Sequence, residues 1–196
     1  MTFPRIWVFP GNRSGDDGQV YALAEELGLP FETRPMQYNW RYRLQGTHKG
    51  VSADVLDAEV RAKTLVPPWP DLILIAGKHP APVARWVRAQ NGGRTRLVFL
   101  GHPRVPPENF DLIYTTRSYL APEGESVRLL PLSLSRYRVA PKPTEAETSW
   151  LDSLPRPHVL MMLGGKTRHW KMRPAFIAER AAELAERRQL QNIACY

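Results

Sequence analysis

The sequence predicts an α/β fold in which a Rossmann-like domain is built on a parallel sheet. Short apolar runs at Leu72–Ala76 and Leu97–Leu100 have the pattern of strands that are buried on both faces of such a sheet. The segment between these runs places Val83, Ala84 and Val87 on one helical face. A second strand–helix–strand pattern occupies the first 34 residues. Parallel strands need crossovers of this kind, so one parallel sheet accounts for both patterns.

The remaining elements follow from the same patterns. Apolar residues at helical spacing predict helices, and clusters of turn-forming residues mark the loops. In chain order we expect a strand at Arg5–Phe9, a loop at Pro10–Gly18, a helix from Asp17 or Gln19 to Leu27, a strand at Phe31–Arg34, a helix at Ser52–Lys63, a helix from Pro80 to the turn Asn91-Gly92-Gly93, strands at Phe110–Tyr114 and Val127–Leu130, a short helix at Thr144–Leu151, a strand at His158–Leu163 and a helix from Pro174 to Gln189.

Three regions follow from this order. Residues 1–130 form the Rossmann-like amino-terminal domain, and residues 131–157, which hold five prolines, form a linker. Residues 158–196 contain one strand and one helix. Because a lone unit of this kind cannot bury its own sheet face, it either packs on the first domain or opens a second one. We favour the second interpretation, the start of a second Rossmann-like α/β domain that is incomplete in this chain.

Composition indicates which binding partners and which cellular compartment suit this chain. The formal net charge is +8 and the isoelectric point is about 9.9, which favours anionic partners. The cations are scattered, with no run of five, so nucleic acid is disfavoured. Cys195 is the single cysteine, and no apolar run approaches the roughly 20 residues that cross a bilayer. The sequence also shows no signal peptide, so we expect a soluble, cytoplasmic protein.

One segment suggests a surface contact. Pro35–Gly50 is aromatic and basic, and it places Trp40 and Tyr42 beside Arg41 and Arg43. Such a loop can contact a ligand or an acidic membrane surface, which makes peripheral membrane association an expectation. The alternative is a long excursion that packs on the sheet.

Two loops at one edge of the predicted sheet carry similar side chains. Gly77, Lys78 and His79 follow one strand, and His102 and Arg104 follow the next. The carboxyl-terminal edge of an open α/β sheet is where ligands bind, so we interpret it as the functional face. The imidazoles could serve acid–base chemistry, and the two cations suit an anionic substrate. The alternative is a pair of ordinary polar loops.

The loop after the first strand is rich in glycine and aspartate. Gly15, Asp16, Asp17 and Gln19 lie where the predicted helix begins. The loop matches no nucleotide-phosphate motif, and its carboxylates would repel a phosphate placed there. A hydroxyl-rich ligand fits better, with Asp16 or Asp17 as a base. Both aspartates could equally serve only the helix amino terminus.

A second glycine turn lies near the carboxyl terminus. Leu160 stands where a phosphate-binding loop of ATPases needs glycine, so that motif is absent. A turn after a strand can still hold a diphosphate, or it can be purely structural. The residues concerned are Gly164, Gly165, Lys166, Thr167 and Arg168. No spacing of His, Cys, Asp or Glu predicts a metal site.

Together these motifs resemble the mitochondrial-fission-factor-like proteins of plants and bacteria, which are related in fold to glycosyltransferases of the two-Rossmann-domain (B) type. The similarity extends to about Leu190. It differs at Arg117-Ser118-Tyr119, where the family tends to have His-Asp, and members continue through a second domain. The residues that carry the resemblance are Gly15–Gln19 with Ala22–Ala24 and Leu27–Leu29, Pro70–Ile73 with Ala76–Lys78, Pro103-Arg104 with Phe110–Ile113, and Leu163–Lys166.

The resemblance implies a glycosyltransferase-like protein that uses a nucleotide-sugar as donor substrate and needs no cofactor. The turn Gly164–Arg168 would face the donor diphosphate. The edge of the first domain would face the acceptor, with Asp16, Asp17, His79 or His102 as base. The alternative is a scaffold of the same fold without turnover, associated with an acidic membrane surface.

Overall fold

The computed structural model describes residues 3–11, 13–44, 46, 49–119, 123–136, 142–154, 156, 158 and 173–188. The chain divides into two units, Met1–Arg138 and Val139–Tyr196. The strands and helices of the first unit, in chain order, are β1 Ile6–Phe9, α1 Ser14–Glu26, β2 Phe31–Thr33, α2 Ala58–Thr64, β3 Leu72–Ala76, α3 Ala81–Gln90, β4 Arg96–Leu100, β5 Leu112–Thr116 and β6 Val127–Leu130.

One parallel sheet organises the first unit, as the sequence predicts. Its six strands lie in the order β2-β1-β3-β4-β5-β6, and every neighbouring pair is parallel. The chain builds outward from β1 in both directions, first to β2 and then to β3. Open α/β sheets bind ligands where the strand order reverses in this way, which here is the gap between β1 and β3.

Alternating side chains of the sheet pack on its two faces. Val8 and Leu74 face α1, where they contact Val20 and Ala24. The opposite face carries the larger cluster. That cluster joins Trp7, Phe9, Ile73, Ile75, Leu97 and Phe99 of the strands to Ala81, Val83, Ala84 and Val87 of α3. The apolar stripe predicted for this helix is therefore confirmed, and both faces of the central strands are buried.

Several ends of strands and helices in the first unit differ from the sequence-based expectation by one residue, and three elements, α1, β5 and α2, differ by more. Helix α1 begins at Ser14 rather than at Asp17 or Gln19, and the Asp17 N–H donates to the Arg13 carbonyl at 3.0 Å. Glycine residues at positions 15 and 18 favour a loop, which is why the sequence pattern predicts a later start. Strand β5 begins two residues later than expected and runs to Thr116, because the Phe110 N–H closes a 3₁₀ turn on the Pro107 carbonyl at 2.9 Å.

Helix α2 is shorter than the helix expected over Ser52–Lys63. The Asn39 side chain donates to the carbonyls of Asp54 and Leu56, at 2.8 and 2.7 Å. The Asp57 N–H donates to the Gln37 carbonyl at 3.0 Å. Residues 54–57 therefore pair with the chain at 37–39 and cannot form the first turn of a helix.

Two helices are described in the second unit. Helix α4 spans Glu145–Ser153 and confirms the short helix predicted inside the proline-rich segment. The Thr144 side chain accepts from the Glu147 N–H, and the Glu147 carboxylate accepts from the Thr144 N–H, so a capping box fixes its first turn. Helix α5 spans Pro174–Arg188. The strand predicted at residues 158–163 lies, after its first residue, outside the described residues.

Candidate functional site

A cleft of about 1060 Å³ opens at the carboxyl-terminal edge of the sheet. The loops that follow β1, β3 and β4 form it, and α3 contributes one wall. Six of the residues selected from the sequence line this cleft, namely Asp16, Gly77, Lys78, His79, His102 and Arg104. The sheet therefore brings together residues that are far apart in the sequence.

Asp16 lies at the reversal point between β1 and β3, against two glycines. A Cβ atom added to Gly11 would lie 2.8 Å from the Asp16 Cβ and 3.1 Å from the Ala76 carbonyl oxygen. A Cβ atom added to Gly77 would lie 3.0 Å from the Asp16 Oδ2. Gly77 also has a φ of 79°, in the left-handed region. Both glycines are thus needed for the aspartate to reach this position.

The environment of Asp16 favours its protonated form. Burial raises the pKa of its carboxyl above the ordinary value of 3.8, and the nearby Arg13 guanidinium lowers it by less. A carboxylate with a raised pKa is a stronger base than an ordinary one. This arrangement can accept a proton from a hydroxyl group bound in the cleft.

Asp17 follows Asp16 in the chain but does not line the cleft. Burial raises its pKa, an N–H of the Gly11 backbone lowers it, and the Asp16 charge raises it again. Burial also raises the pKa of the Tyr38 hydroxyl, as does the charge of Asp17. Asp17 is not among the lining residues of the cleft, so the two candidate bases occupy different environments.

His79 is held by aromatic rings from the segment at 35–50. Its imidazole centroid lies 5.2 Å from the Tyr42 ring, edge to face, and 5.8 Å from the Tyr38 ring. Both tyrosines and Met36 pack against the larger core cluster. The excursion therefore packs on the sheet, which was one of the two alternatives, and it fixes one wall of the cleft. Trp40, at its tip, remains 66% exposed.

His102 and Arg104 form the wall after β4. Burial and the neighbouring Arg104 charge lower the pKa of His102 below 6.5. The neutral ring accepts the Arg104 backbone N–H at its Nδ1 atom, at 3.4 Å. Arg104 has a φ of 63°, a left-handed conformation that costs a non-glycine residue about 1 kcal/mol or more. Such strain is frequent at functional sites.

Positive charge dominates the cleft. Arg13, Lys78 and Arg104 form no ion pair with any residue that the structure describes. Arg85 donates from its Nη1 to the carbonyls of Lys49 and Gly50, at 3.0 and 3.1 Å, and so holds Lys49 at the cleft. With Asp16 as the acidic member, the site can bind an anion beside a hydroxyl group.

Some predicted residues lie behind the cleft, and others were missed. Gly15 and Gln19 belong to the first turns of α1, and Gln19 reaches the cleft only through a hydrogen bond to Tyr119. Several further lining residues were not selected from the sequence, among them Arg13, Lys49, Arg85 and Tyr119. Arg13 could have been found as the residue before α1. The other three are brought to the edge by tertiary contacts that no local pattern predicts.

The proposed phosphate-binding turn, Gly164, Gly165, Lys166, Thr167 and Arg168, lies outside the described residues. In the described part of the chain, no group of three or more His, Cys, Asp or Glu side chains is arranged to hold a metal ion. No described helix is long and apolar enough to cross a membrane.

Comparison with protein-family models gives one match. Residues 14–195 match the model described as mitochondrial fission ELM1. The chain belongs to this family. The match extends through both units and includes the cleft residues from Asp16 to Tyr119. Searches of the curated proteins and of the solved structures returned no match for this ELM1-family chain.

Proposed function

We propose that this ELM1-family chain is a glycosyltransferase-like protein that transfers a glycosyl group from a nucleotide-sugar to an acceptor bound in the cleft of the first unit. The observation that supports the proposal is that Asp16, Lys78 and Arg104 line one cleft. Asp16 is a carboxylate with a raised pKa, and the two cations form no ion pair with the described residues. An acceptor that carries a hydroxyl group near an anionic group matches both features.

The chemistry needs one base and one stabilised leaving group. Asp16 takes the proton of the acceptor hydroxyl as its oxygen attacks the anomeric carbon of the donor sugar. The bond from that carbon to the diphosphate oxygen breaks, and the nucleoside diphosphate departs with the electron pair. The cations of the cleft hold the anionic part of the acceptor, and this fixes its hydroxyl group for attack.

The donor diphosphate is assigned to the turn Gly164–Arg168. Backbone N–H groups of a glycine turn, together with Lys166 and Arg168, suit the negative charge that develops on the leaving diphosphate. This assignment rests on the sequence of the turn and on the family resemblance.

Binding and transfer can be tested separately. The full chain is titrated with UDP, GDP, ADP and their sugars by calorimetry and thermal shift, with Lys166→Ala as the donor-site variant. A ligand at 100 times its Kd stabilises the fold by about 2.7 kcal/mol, which gives a clear rise in Tm. We expect binding in the wild-type chain and its loss in Lys166→Ala. A folded chain that binds none of these nucleotides would contradict the proposal.

Transfer is measured by release of the nucleoside diphosphate, with Asp16→Asn as the base variant and Asp152→Asn as an exposed control. Asp16→Asn should abolish turnover and retain nucleotide binding. Because the pKa of Asp16 is raised, kcat/KM should fall with decreasing pH at values above the ordinary 3.8 of aspartate. An Asp16→Asn variant that turns over at the wild-type rate would exclude this residue as the base.

A second proposal concerns the tip of the segment at 35–50. Trp40 and Leu44 are 66% and 50% exposed, and they lie beside Arg41 and Arg43. We propose that this tip contacts an acidic membrane surface from the cytoplasmic side. Each basic residue near such a surface contributes about 1 kcal/mol, and salt screens the attraction.

Vesicle co-sedimentation tests the membrane contact. The chain should bind phosphatidylglycerol vesicles, bind phosphatidylcholine vesicles weakly, and dissociate as salt is raised. Trp40→Ala and the double variant Arg41→Ala/Arg43→Ala should lose binding, whereas Arg94→Ala, an exposed arginine after α3, should keep it. Equal binding to both kinds of vesicle would contradict the proposal.

A further inference from the structure

Tyr119 is brought over the cleft by a short turn after β5. Residues Arg117–Tyr119 form a 3₁₀ turn, and the Thr116 and Ser118 hydroxyl oxygens lie 2.7 Å apart, within hydrogen-bond distance. The Tyr119 ring comes within 3.8 Å of the position that a Cβ atom of Gly101 would occupy. Gly101 has a φ of 96°, so it lacks a side chain where the ring passes. The ring therefore forms an apolar surface in the cleft at the end of β4.

Gln19 fixes the direction of the Tyr119 hydroxyl group. Gln19 is only 9% exposed, and its amide nitrogen lies 3.4 Å from both the Gly15 carbonyl oxygen and the Tyr119 hydroxyl oxygen. A carbonyl can only accept, so the amide nitrogen and not the amide oxygen must face these two atoms. The amide then donates to the Tyr119 oxygen, and the phenolic proton has to point elsewhere.

That proton has a natural use in the cleft. Among the described residues, none accepts a hydrogen bond from the Tyr119 hydroxyl group. Tyr119 lines the same cleft as Asp16, Lys78 and Arg104. One wall of the cleft thus provides an apolar ring and a hydroxyl donor, and the two cations can bind an anionic group of the same ligand. Few convergent polar groups around an aromatic surface are typical of sites for small polar ligands.

We infer that Tyr119 determines acceptor specificity and that the acceptor class is a phosphorylated sugar. The sugar packs on the Tyr119 ring and accepts its phenolic proton at a ring or hydroxyl oxygen. Asp16 accepts from a sugar hydroxyl group, and Lys78 and Arg104 bind the phosphate. This inference rests on the proposed function, because it names the acceptor for the same cleft.

The test compares three probes on the full chain by calorimetry: hexose phosphates (glucose 1-phosphate, glucose 6-phosphate and N-acetylglucosamine 1-phosphate), inorganic phosphate and free glucose. We expect at least one hexose phosphate to bind more tightly than inorganic phosphate. Tyr119→Phe keeps the ring and removes the hydroxyl group. It should lower the affinity for that hexose phosphate about tenfold and leave the affinity for inorganic phosphate unchanged. Arg104→Ala should weaken both, and Tyr21→Phe, on α1, should change neither.

Three results would overturn the inference. The first is a folded chain that binds no hexose phosphate more tightly than inorganic phosphate. The second is a Tyr119→Phe variant that binds the hexose phosphate with wild-type affinity. The third is a Tyr119→Phe variant whose affinity for inorganic phosphate falls as much as its affinity for the hexose phosphate. The proposed transfer fails separately. Hexose phosphate binding that depends on Tyr119, without release of nucleoside diphosphate from any donor, would support this inference and exclude glycosyl transfer.

Discussion

The two edges of the sheet carry similar side chains in opposite states. At the amino-terminal edge, Asp111 accepts from Arg88 at 2.6 Å, from Arg96 at 2.7 Å and from the Leu97 N–H at 2.8 Å. At the carboxyl-terminal edge, Lys78 and Arg104 form no ion pair with the described residues. The charged side chains of the amino-terminal edge bind one another and stabilise the fold, whereas Lys78 and Arg104 at the carboxyl-terminal edge can bind a ligand.

The pKa values of the carboxylates at the two edges are shifted in opposite directions. Burial would raise the pKa of Asp111, but the Leu97 N–H and the two arginines together lower it below 3.8. Burial raises the pKa of Asp16, and Arg13 compensates for this only in part. A residue type therefore does not predict its role in this fold. The number of partners that the tertiary structure supplies separates a stabilising carboxylate from one that is suited to chemistry.

The largest expected effect is at the amino-terminal edge. Asp111→Ala removes three hydrogen bonds and leaves the partly buried Arg88 without its acceptor, whereas Arg96 is exposed to solvent. The variant should therefore destabilise the unit by about 2–3 kcal/mol. Urea unfolding measures the change. Glu108→Ala, an exposed carboxylate in the preceding turn, is the control and should have almost no effect. If both variants unfold at the same urea concentration, the interactions of Asp111 do not stabilise the unit.

Gly11→Ala should affect both stability and the site. The added methyl group would overlap Asp16 and the Ala76 carbonyl, and overpacking of this kind costs about 1–3 kcal/mol. Turnover should fall as well, because Asp16 is displaced. Gly18→Ala, where nothing lies within 4 Å, should instead stabilise α1 by about 0.5–1 kcal/mol. Two variants of equal stability would show that the space around Asp16 is not restricted.

The contrast between the aspartates also predicts a pH dependence. Because the folded pKa of Asp111 is lowered, its stabilisation is present above pH 3.8, its ordinary value, and is lost as the pH falls through the lowered pKa. The difference in unfolding free energy between the wild-type chain and Asp111→Asn should therefore be constant from pH 7 to 5 and shrink in more acidic solution. A difference that does not change with pH would contradict the lowered pKa.

The smallest effect concerns the strained backbone of Arg104. Arg104→Gly and Arg104→Ala remove the same charge, but only glycine adopts a φ of 63° without cost. The glycine variant should be more stable than the alanine variant by about 1 kcal/mol, and both should bind inorganic phosphate about tenfold more weakly than the wild-type chain. Equal stability of the two variants would argue against strain at this position.

The sequence predicts the sheet better than the site. The apolar run Leu72–Ala76 has the predicted bounds, because buried parallel strands consist of continuous apolar residues. The edge strand Val127–Leu130 also has its predicted bounds, although it contains Arg128 and is partly exposed. The loops after β3 and β4 could be placed at one edge because parallel strands end together. The α2 boundary could not be predicted, since it depends on the distant Asn39 side chain. Tyr119 was missed for a similar reason, because its position depends on Gln19 and on the turn after β5.

The most direct test of the account follows backbone amide shifts by NMR while inorganic phosphate and then a hexose phosphate are added to the full chain. We expect the perturbations to concentrate at residues 77–79, 101–104 and 119, with little change at 88, 96–97 and 111. Perturbations centred on the amino-terminal edge, or none at either edge in the folded chain, would contradict it.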